Sequence, residues 1–570
     1  MKYKVGYIVF VFLLSVCSTS YAQVKFNFNG LGRAIVTSNK LGGPTLAGDT
    51  LSNSKGVSGY TVFDLQPNLV INNNVKANVI LRLRNPFGSF YGANTAFSFR
   101  QFQIMGRIGK VVEYEIGDIY LGGGMTSYTL YKPFEINHEF ESDLHSQRRS
   151  VAEYENFVSG NLWRLQGLQG KSNFGFTKGI KSLGINLFAV RTNASNEKSV
   201  PDRIMVGGRV GVVQSEYLSV GLNSVNLLDI KVNQDSVEYS NNVLTGDAKL
   251  TLNREKFLVQ LNGEFGGSSF KNLRVYDDST VKYSDYVTEV GLKAVIKPAK
   301  IKLFATYRSV GAQFSSPSAQ TTRMNVNQPN SLFTMVSQNS AFRNQNLYDR
   351  LTDEQSYNRS VSATLYNYLP QYGNLTPYGD ATPNRAGITV GLGSDTSAKI
   401  IKFEVRADMF NEIIGEGVVD KRKYTAYRGG LVFNFGDLLK INRKMSINTG
   451  LRQESTKRSG NAPIDFKSTL IDLGATIEVF KKFDVLVGTK MLTASGNEYL
   501  NTRNQFNILS SFTAYNLDLK EQILSFGLRL RFSERSYLTG TYNTSSYKET
   551  LSNNYNYNIN QLFFNYTLAF

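Results

Sequence analysis

The sequence predicts an all-β protein, a transmembrane antiparallel up-and-down β-barrel of about 22 to 24 strands with one long loop. Three observations predict this class: an export signal at the N-terminus, alternation of apolar and polar residues along most of the chain, and a strongly amphipathic last strand. The mean hydropathy is slightly negative, which by itself would fit a soluble protein. A barrel, however, carries its apolar surface on every second residue, so the mean conceals it.

Residues 1–22 have the three parts of a cleavable signal peptide. Two lysines in the first four residues precede a short apolar stretch, and small residues at positions 20 and 22 provide a cleavage site. The apolar stretch is shorter than the roughly 20 residues of a membrane-spanning helix, which disfavours an uncleaved anchor. A lipid-modified Cys17 is disfavoured because Val16 precedes it. We therefore expect export through the inner membrane and a single mature barrel, residues 23–570.

Alternation with a period of two recurs along the mature chain and predicts strands with one apolar and one polar face. Clear examples are residues 75–84, 300–309, 399–410 and 524–533. In 399–410, every odd position from 401 to 409 is apolar and every even position from 402 to 408 is charged. Such alternation also fits a soluble β-sandwich. The lack of any linker over more than 500 residues favours one large barrel instead.

The last ten residues carry the most specific pattern. Their large apolar and aromatic side chains share one face of the strand, at Leu562, Phe564, Tyr566, Leu568 and Phe570. This arrangement resembles the C-terminal assembly signal of bacterial outer-membrane proteins, in which a terminal aromatic residue closes an amphipathic strand. The resemblance implies recognition by the barrel assembly machinery. It also implies residence in a Gram-negative outer membrane, among its lipids and lipopolysaccharide.

Short turns and longer polar stretches alternate along the predicted barrel, as in outer-membrane barrels. Tight turns are predicted at 215–217, 298–300, 481–483 and 533–536, and longer loops at 38–57, 127–160, 231–240, 271–283, 412–422 and 457–465. A strand is predicted to begin at residue 24, directly after the signal peptide. This leaves no room for the N-terminal plug of TonB-dependent receptors, so we expect any plug to come from a loop.

Residues 315–384 form the longest segment without alternation. These 70 residues contain five of the twelve prolines and six tyrosines, and a local helix is expected around 344–360. A loop of this length is usually functional or disordered, and its aromatic content disfavours disorder. Its role stays open between a constriction in the lumen, an external cap, a docking surface for a protein partner, and a plain solvated loop. Its end, 378–385, resembles a pattern of Bacteroidota outer-membrane proteins, but no characterised family is identified.

Basic residues exceed acidic ones, with 61 Lys and Arg against 45 Asp and Glu after the signal peptide, a net charge of +16. A cation that faces lipid near the bilayer centre costs about 2–4 kcal/mol, so cations on the polar strand faces are expected in the lumen. We predict eight such lumen-lining cations: Arg82, Arg84, Lys302, Arg308, Lys402, Arg406, Arg529 and Arg531. If unpaired, they would favour anions. If paired with acids such as Glu404 and Asp408, they would fill a closed interior.

Catalytic, metal and cofactor motifs are weak. His138 and His145 lie in a stretch rich in carboxylates, without the spacing of a zinc protease, which is typical of an acidic surface loop. No predicted strand contains a histidine for a hydrolase site at the barrel wall. Beyond Cys17 there is no cysteine for a disulfide or a thiolate metal site. We expect no enzyme activity, no metal, no cofactor, and no binding of nucleic acid.

Two functions from different classes remain. The first is a channel or passive transporter with an electropositive lumen for anionic or small polar solutes, which predicts unpaired cations along a continuous water path. The second is a non-enzymatic scaffold or partner subunit in outer-membrane secretion, assembly or lipoprotein complexes, which predicts a filled lumen and an exposed aromatic loop surface. A barrel of more than 20 strands is wide enough to conduct unless it is filled, which favours the channel.

Overall fold

The chain folds as one closed antiparallel sheet of 22 strands, which confirms the predicted all-β class. A computed structural model describes residues 25–43, 55–72, 74–88, 94–121, 124–130, 140–156, 165–193, 201–230, 238–274, 279–320, 345–352, 361, 365, 368–504, 508–551 and 556–570. The predicted signal peptide and His138 lie outside these residues.

The first half of the barrel is formed by the strands β1 (Lys25–Gly42), β2 (Lys55–Asn72), β3 (Val75–Pro86), β4 (Ala96–Ile108), β5 (Val112–Ile119), β6 (Leu165–Gly175), β7 (Ser182–Asn193), β8 (Asp202–Val213), β9 (Leu218–Ile230), β10 (Glu238–Asn253) and β11 (Phe257–Arg274). The second half is formed by β12 (Ser279–Ile296), β13 (Ile301–Val310), β14 (Arg385–Ser394), β15 (Ile401–Asn411), β16 (Lys423–Asn434), β17 (Met445–Arg458), β18 (Ile464–Phe480), β19 (Phe483–Arg503), β20 (Leu509–Arg531), β21 (Tyr537–Glu549) and β22 (Tyr557–Ala569).

Each strand pairs with its neighbours in the sequence, and the first strand pairs with the last. In the β1–β22 ladder, Leu31 lies opposite Ala569 and Gly42 lies opposite Asn558. The ladder therefore continues around the whole sheet, and the main-chain hydrogen bonds of the strands are made within the barrel. A closed sheet of this kind leaves no edge strand, which is the condition for a β-structure to stand in lipid.

The two faces of the sheet differ as the alternation predicts. Outward side chains such as Leu292, Val405 and Phe526 are apolar and about half exposed or more. Inward positions carry charges such as Asp64 and Asp472, which are buried. Because a slip of one residue would turn every charge outward, this pattern specifies the register strongly.

The two ends of the barrel have different connections. The turn end carries the start of β1 and the finish of β22, and the four predicted tight turns lie there, between β8 and β9, β12 and β13, β18 and β19, and β20 and β21. At the opposite end, called the loop end here, several strands run further than expected. The predicted loops 38–57 and 271–283 were too long, since β1, β11 and β12 extend well into them. Beyond the apolar band the outward side chains of these strands are polar, as Lys271 and Lys282 are, whereas inward ones such as Leu41 and Phe270 are apolar and buried. The hydrogen-bonded ladder therefore continues where the predicted alternation ends.

Two long connections leave the loop end. The first insert, residues 120–164, joins β5 to β6 and contains the helix α1 (Asp143–Asn156). The second insert, residues 311–384, joins β13 to β14 and contains the short helix α2 (Leu347–Thr352), within the predicted helical region, and a 3-10 turn (Pro370–Tyr372). A last short helix, α3 (Phe435–Leu438), lies in the β16–β17 turn. Among the described residues, no helix is both long enough and apolar enough to cross a bilayer.

Candidate functional site

The described parts of both inserts fold back into the lumen and bind each other there. Ser316 Oγ of the second insert donates a 2.6 Å hydrogen bond to the carbonyl of Tyr128 in the first insert. Ser318 Oγ donates one of 2.7 Å to the carbonyl of Thr129. The Tyr128 hydroxyl in turn donates to Glu289 on the inner face of β12. The described parts of the inserts therefore form one body inside the barrel, attached to its wall.

The start of α1 lies in a groove of glycines on the inner wall. These glycines are Gly430, Gly450, Gly474, Gly488 and Gly527, one on each strand from β16 to β20. Phe140 occupies the space that a side chain at Gly430 would fill. A Cβ atom at Gly474 would collide with the Ser142 side chain. The missing side chains therefore let the main chain of the first insert approach the wall closely.

Buried ion pairs anchor this end of α1. Lys490 Nζ on β19 lies 2.7 Å from Glu141 and 2.5 Å from Asp472, and Arg149 also pairs with Glu141. Burial alone would raise the pKa of Glu141, but Lys490 and Arg149 outweigh it and lower this pKa to about 2. The carboxylate is therefore charged at neutral pH, and it connects the insert electrostatically to the wall.

His145 is buried within this anchor, so the interpretation of its surroundings as an acidic surface loop was wrong. Its Nε2 lies 3.1 Å from Ser525 Oγ on β20. Burial first, and then the charge of Lys490, lower the pKa of His145 to about 3, so the ring is neutral. Its Nδ1 has no hydrogen-bond partner among the described residues. The Ser525–His145 pair thus lacks the acid that orients a catalytic histidine.

Arginines from the wall hold the other end of α1. Arg82 donates two hydrogen bonds of 2.7 Å to Asp64 and one of 2.8 Å to Glu155 in the last turn of the helix. Arg100 lies where the β3–β4 register shifts, and it donates to the main-chain carbonyl of Tyr154 while stacking 4.0 Å from the centre of its ring. The last turn of α1 contains no basic residue of its own. The wall arginines therefore supply the positive charge that the C-terminus of a helix favours.

The second insert covers the neighbouring wall. The Tyr372 hydroxyl donates a 2.5 Å hydrogen bond to Glu521 on β20, and the Leu347 amide donates one of 2.6 Å to the same carboxylate. Asn374 donates to Glu454 and Glu498 at 2.8 and 2.7 Å. Helix α2 also packs on an apolar cluster of Leu470, Leu492 and Ile523. The second insert therefore contacts the wall through buried apolar side chains and through wall carboxylates that accept its hydrogen bonds.

The eight predicted lumen cations all belong to polar strand faces, and six of them are ion-paired. The pairs are Arg82 with Asp64 and Glu155, Lys302 with Glu404, Arg308 with Glu289 and Asp380, Arg406 with Asp408, Arg529 with Asp484, and Arg531 with Asp484 and Glu478. Arg84 stacks on the Tyr60 ring at 4.2 Å. Lys402 is exposed and has no carboxylate within ion-pair distance among the described residues.

The inner wall differs in exposure from one side of the barrel to the other. On β17–β22 the inward side chains are buried for most of the strand length, as in β21 and β22, because α1 and the second insert cover them. On β8–β16 burial stops part-way. In β10 the inward residues at 239, 241, 243 and 245 are buried, whereas those from 247 to 253 are partly or fully exposed. The turn-end half of this wall therefore borders solvent.

Charged side chains lie where this solvent-exposed wall meets the inserts. Arg209 pairs with Asp247, and Arg308 lies 3.0 Å from Glu289 and 2.9 Å from Asp380. Further round, Arg406 and Arg428 share Asp408 at 3.0 and 2.7 Å, and the Arg406 side chain is 27% exposed. The wall of β8–β16 thus presents guanidinium and carboxylate groups to water on the turn-end side of the inserts.

No protein-family model and no curated protein sequence matches the chain. Similar solved structures include bacterial outer-membrane porins. They include OccK8 (OprE) of Pseudomonas aeruginosa, with 9% identity over 95% of this chain and 98% of that chain and a TM-score of 0.37. The outer membrane protein OprD of the same species has 9% identity over 96% of both chains and a TM-score of 0.36. A BenF-like porin from Pseudomonas fluorescens has 10% identity over 96% of this chain and 99% of that chain, with a TM-score of 0.36. At such identities and scores, no residue or solute transfers to this chain.

Two features of the lumen were missed from the sequence. The first is most of the carboxylates that pair with the cations, such as Asp64, Asp247 and Asp484, since the sequence analysis named only Glu404 and Asp408. The missed carboxylates share the polar strand faces, so the same alternation could have identified them. The second is α1. Residues 143–156 contain neither Gly nor Pro and follow Ser142, whose Oγ accepts a hydrogen bond from the amide of His145. That is an N-cap signal before a run without helix breakers.

Proposed function

We propose that the protein is a bacterial outer-membrane channel or passive transporter whose lumen is narrowed by the two inserts. The observation that carries this proposal is the unequal cover of the inner wall. The inserts bury the β17–β22 side, while the turn-end half of β8–β16 keeps its charged side chains in contact with water. A wall built only as a packed core would have no reason to expose ion pairs. We infer that solute moves along this side.

The outer surface supports a place in the membrane. Its exposed side chains form an apolar band around the strands, which suits the hydrocarbon core of a bilayer. The five residues that resemble an assembly signal face outward, four on β22 and Phe570 directly after it, and they are 39–49% exposed: Leu562, Phe564, Tyr566, Leu568 and Phe570. Outer-membrane lipids and the barrel assembly machinery are therefore the partners that this surface would contact.

Anionic or small polar solutes fit the exposed wall best. Lys402 is exposed and unpaired among the described residues, and two arginines, Arg406 and Arg428, share the single carboxylate of Asp408. This local excess of positive charge favours anions. Because carboxylates such as Glu289 line the same wall, we expect a moderate preference rather than strict exclusion of cations.

The test is single-channel conductance of the refolded full chain in a planar bilayer, with a salt gradient to read ion selectivity. We expect small, discrete, anion-selective steps, since the inserts leave only part of the cross-section open. Deleting residues 315–384 should enlarge the steps, because it removes the cover of β17–β20. Resistance of the deletion variant to unfolding in detergent at room temperature checks that its sheet still closes into a barrel.

A silent barrel that is demonstrably folded and inserted would contradict the channel. It would favour the second candidate, a non-enzymatic scaffold or partner subunit of an outer-membrane assembly. One observation supports that alternative: the second insert packs on the wall through the apolar cluster of Leu470, Leu492 and Ile523, as a permanent core does. Capture of defined envelope proteins by the second insert, lost on its deletion, would then be the measurement to make.

A further inference from the structure

Lysines ring the outer face of the barrel near its loop end. Six of them form what we call the lysine collar: Lys271, Lys282, Lys423, Lys457, Lys520 and Lys548, on β11, β12, β16, β17, β20 and β21. All six are exposed. They share the outward face with apolar residues nearer the turn end, such as Phe265 on β11 and Tyr427 on β16. The collar therefore belongs to the lipid-facing surface and not to the lumen.

The strand register places the collar lysines in like-charged pairs. Lys271 lies directly opposite Lys282, Lys423 opposite Lys457, and Lys520 opposite Lys548. Directly opposed residues have Cβ atoms about 4.5–5.5 Å apart, and like charges at that spacing destabilise a sheet. Among the described side chains this arrangement occurs at these three places, and an anion that bridges two ammonium groups would relieve the repulsion at each.

The described part of the protein supplies no such anion. Asp465 lies opposite Lys457, and Asp518 lies two residues before Lys520 on the same face. Neither carboxylate is within ion-pair distance of a collar lysine, and Asp518 accepts a hydrogen bond from Thr550 instead. The described residues therefore leave the collar lysines without a counter-charge, and an anion from the surroundings would supply it.

The height of the collar identifies the source of that charge. Each lysine lies four or six residues beyond an exposed apolar or aromatic residue of the same strand, as Lys282 does from Tyr286 and Lys457 from Leu451. At about 3.3 Å per residue on a tilted strand, its Cα lies roughly 10–15 Å beyond that residue. Flexible lysine side chains reach back along apolar surface, which brings their ammonium groups to the level of lipid headgroups.

We propose that the three lysine pairs of the collar bind the phosphate groups of anionic lipids in the membrane leaflet at the loop end. This inference rests on the proposed membrane location, but it does not depend on whether the barrel conducts. Each pair provides two ammonium groups for the oxygens of one phosphate, while the apolar band below it contacts the acyl chains. A phosphomonoester suits the site best, because its second negative charge matches the second lysine.

The refolded full chain, inserted in vesicles of equal phosphatidylcholine and phosphatidic acid, is extracted in mild detergent, and the retained lipids are quantified by mass spectrometry. We expect retention of phosphatidic acid over phosphatidylcholine. The variant with all six collar lysines changed to Gln should lose that preference, with retention of phosphatidic acid falling about tenfold. The matched control changes six exposed turn-end lysines to Gln: Lys178, Lys181, Lys256, Lys399, Lys444 and Lys481.

Equal retention of phosphatidic acid by the collar variant and by the turn-end control would overturn the proposal. Displacement of phosphatidic acid by an equal concentration of inorganic phosphate would also overturn it, because the pairs would then bind free phosphate and not a lipid. Stability in pure phosphatidylcholine provides an independent check of folding, since removing like-charged pairs should leave it unchanged or higher. Failure of the unaltered chain to insert would instead contradict the membrane location itself, and conductance would test the channel separately.

Discussion

Single residues on the inner wall of the barrel act as anchors of the inserts. Lys490 is the clearest case, because it joins Glu141 of the first insert to Asp472 of the wall while all three are buried. Removing one member of such a buried group leaves an uncompensated charge and costs about 3–5 kcal/mol. Most lumen cations are paired in this way, so the net charge of the chain overstates how many of them a solute would meet.

The neutral state of His145 makes the attachment of α1 dependent on pH. Its pKa is lowered to about 3, so its contribution is complete above an ordinary histidine pKa of about 6.5 and is lost as the pH falls towards 3. At about pH 5 the loss is roughly 2 kcal/mol. We expect conductance to rise between about pH 7 and 5 as α1 detaches, and we expect this rise to disappear in His145→Gln. An unchanged pH profile in the variant would show that another group controls it.

Selectivity should respond to a cation that water reaches. Arg406→Gln removes one partly exposed guanidinium but leaves Asp408 paired with Arg428, so the wall should stay intact. We expect the ratio of anion to cation permeability, measured as a reversal potential in a salt gradient, to fall about two- to threefold. Lys178→Gln, an exposed change at the turn end, provides the control for charge alone. Identical reversal potentials for the two variants would mean that solute does not pass beside β15.

At the level of elements, the position of α1 depends on glycines of the wall. Gly474→Ala places a methyl group against Ser142, and overpacking of this kind costs about 1–3 kcal/mol. We expect the first insert to loosen, so that trypsin cleaves α1 after Arg148 or Arg149 at neutral pH and conductance rises. Gly184→Ala on β7 is the matched control, because the nearest atom to its Cβ would be the Gly211 carbonyl oxygen at 3.9 Å. Equal protection from trypsin in both variants would contradict a role for the glycine groove.

Elements differ in how well the sequence predicts them, for a physical reason. Strands such as β15 and β20 have an apolar outer face and a polar inner face over most of their length, and their polarity therefore alternates from residue to residue. Helix α1 has only three buried apolar residues, Leu144, Val151 and Ala152, and is attached mainly through charged and polar groups, so a periodicity argument has little to detect. The cations of the polar faces were predictable for the same reason as the strands. Their carboxylate partners on the inserts, such as Glu155 and Asp380, required the fold.

For the molecule as a whole, the two inserts divide the barrel into unlike halves. The packed side, β17–β22 with α1 and the second insert, contains buried ion pairs such as Lys490 with Asp472, and the turn-end part of β8–β16 keeps partly exposed ones such as Lys302 with Glu404. A protein built this way has one rigid side and one side that borders water. If solute follows the second side, fixing α1 in place should change conduction little at neutral pH, where the helix is already attached, and should matter greatly when acid weakens its attachment.

A reversible cross-link between α1 and the wall separates conduction at neutral pH from the increase expected in acid. Thr476 Oγ1 on β18 donates a 3.0 Å hydrogen bond to Asp143 at the start of α1, and the Asp143 side chain is 43% exposed. The chain's only cysteine, Cys17, lies in the predicted signal peptide. At neutral pH we expect the oxidised double variant Asp143→Cys/Thr476→Cys to conduct as the unaltered chain does. At about pH 5 we expect it to lack the increase in conductance. Reductant should restore that increase. Each single-cysteine variant controls for the substitutions. Loss of conductance at neutral pH on oxidation would mean that α1 moves in every opening, and the solute path would then run beneath the helix rather than along β8–β16.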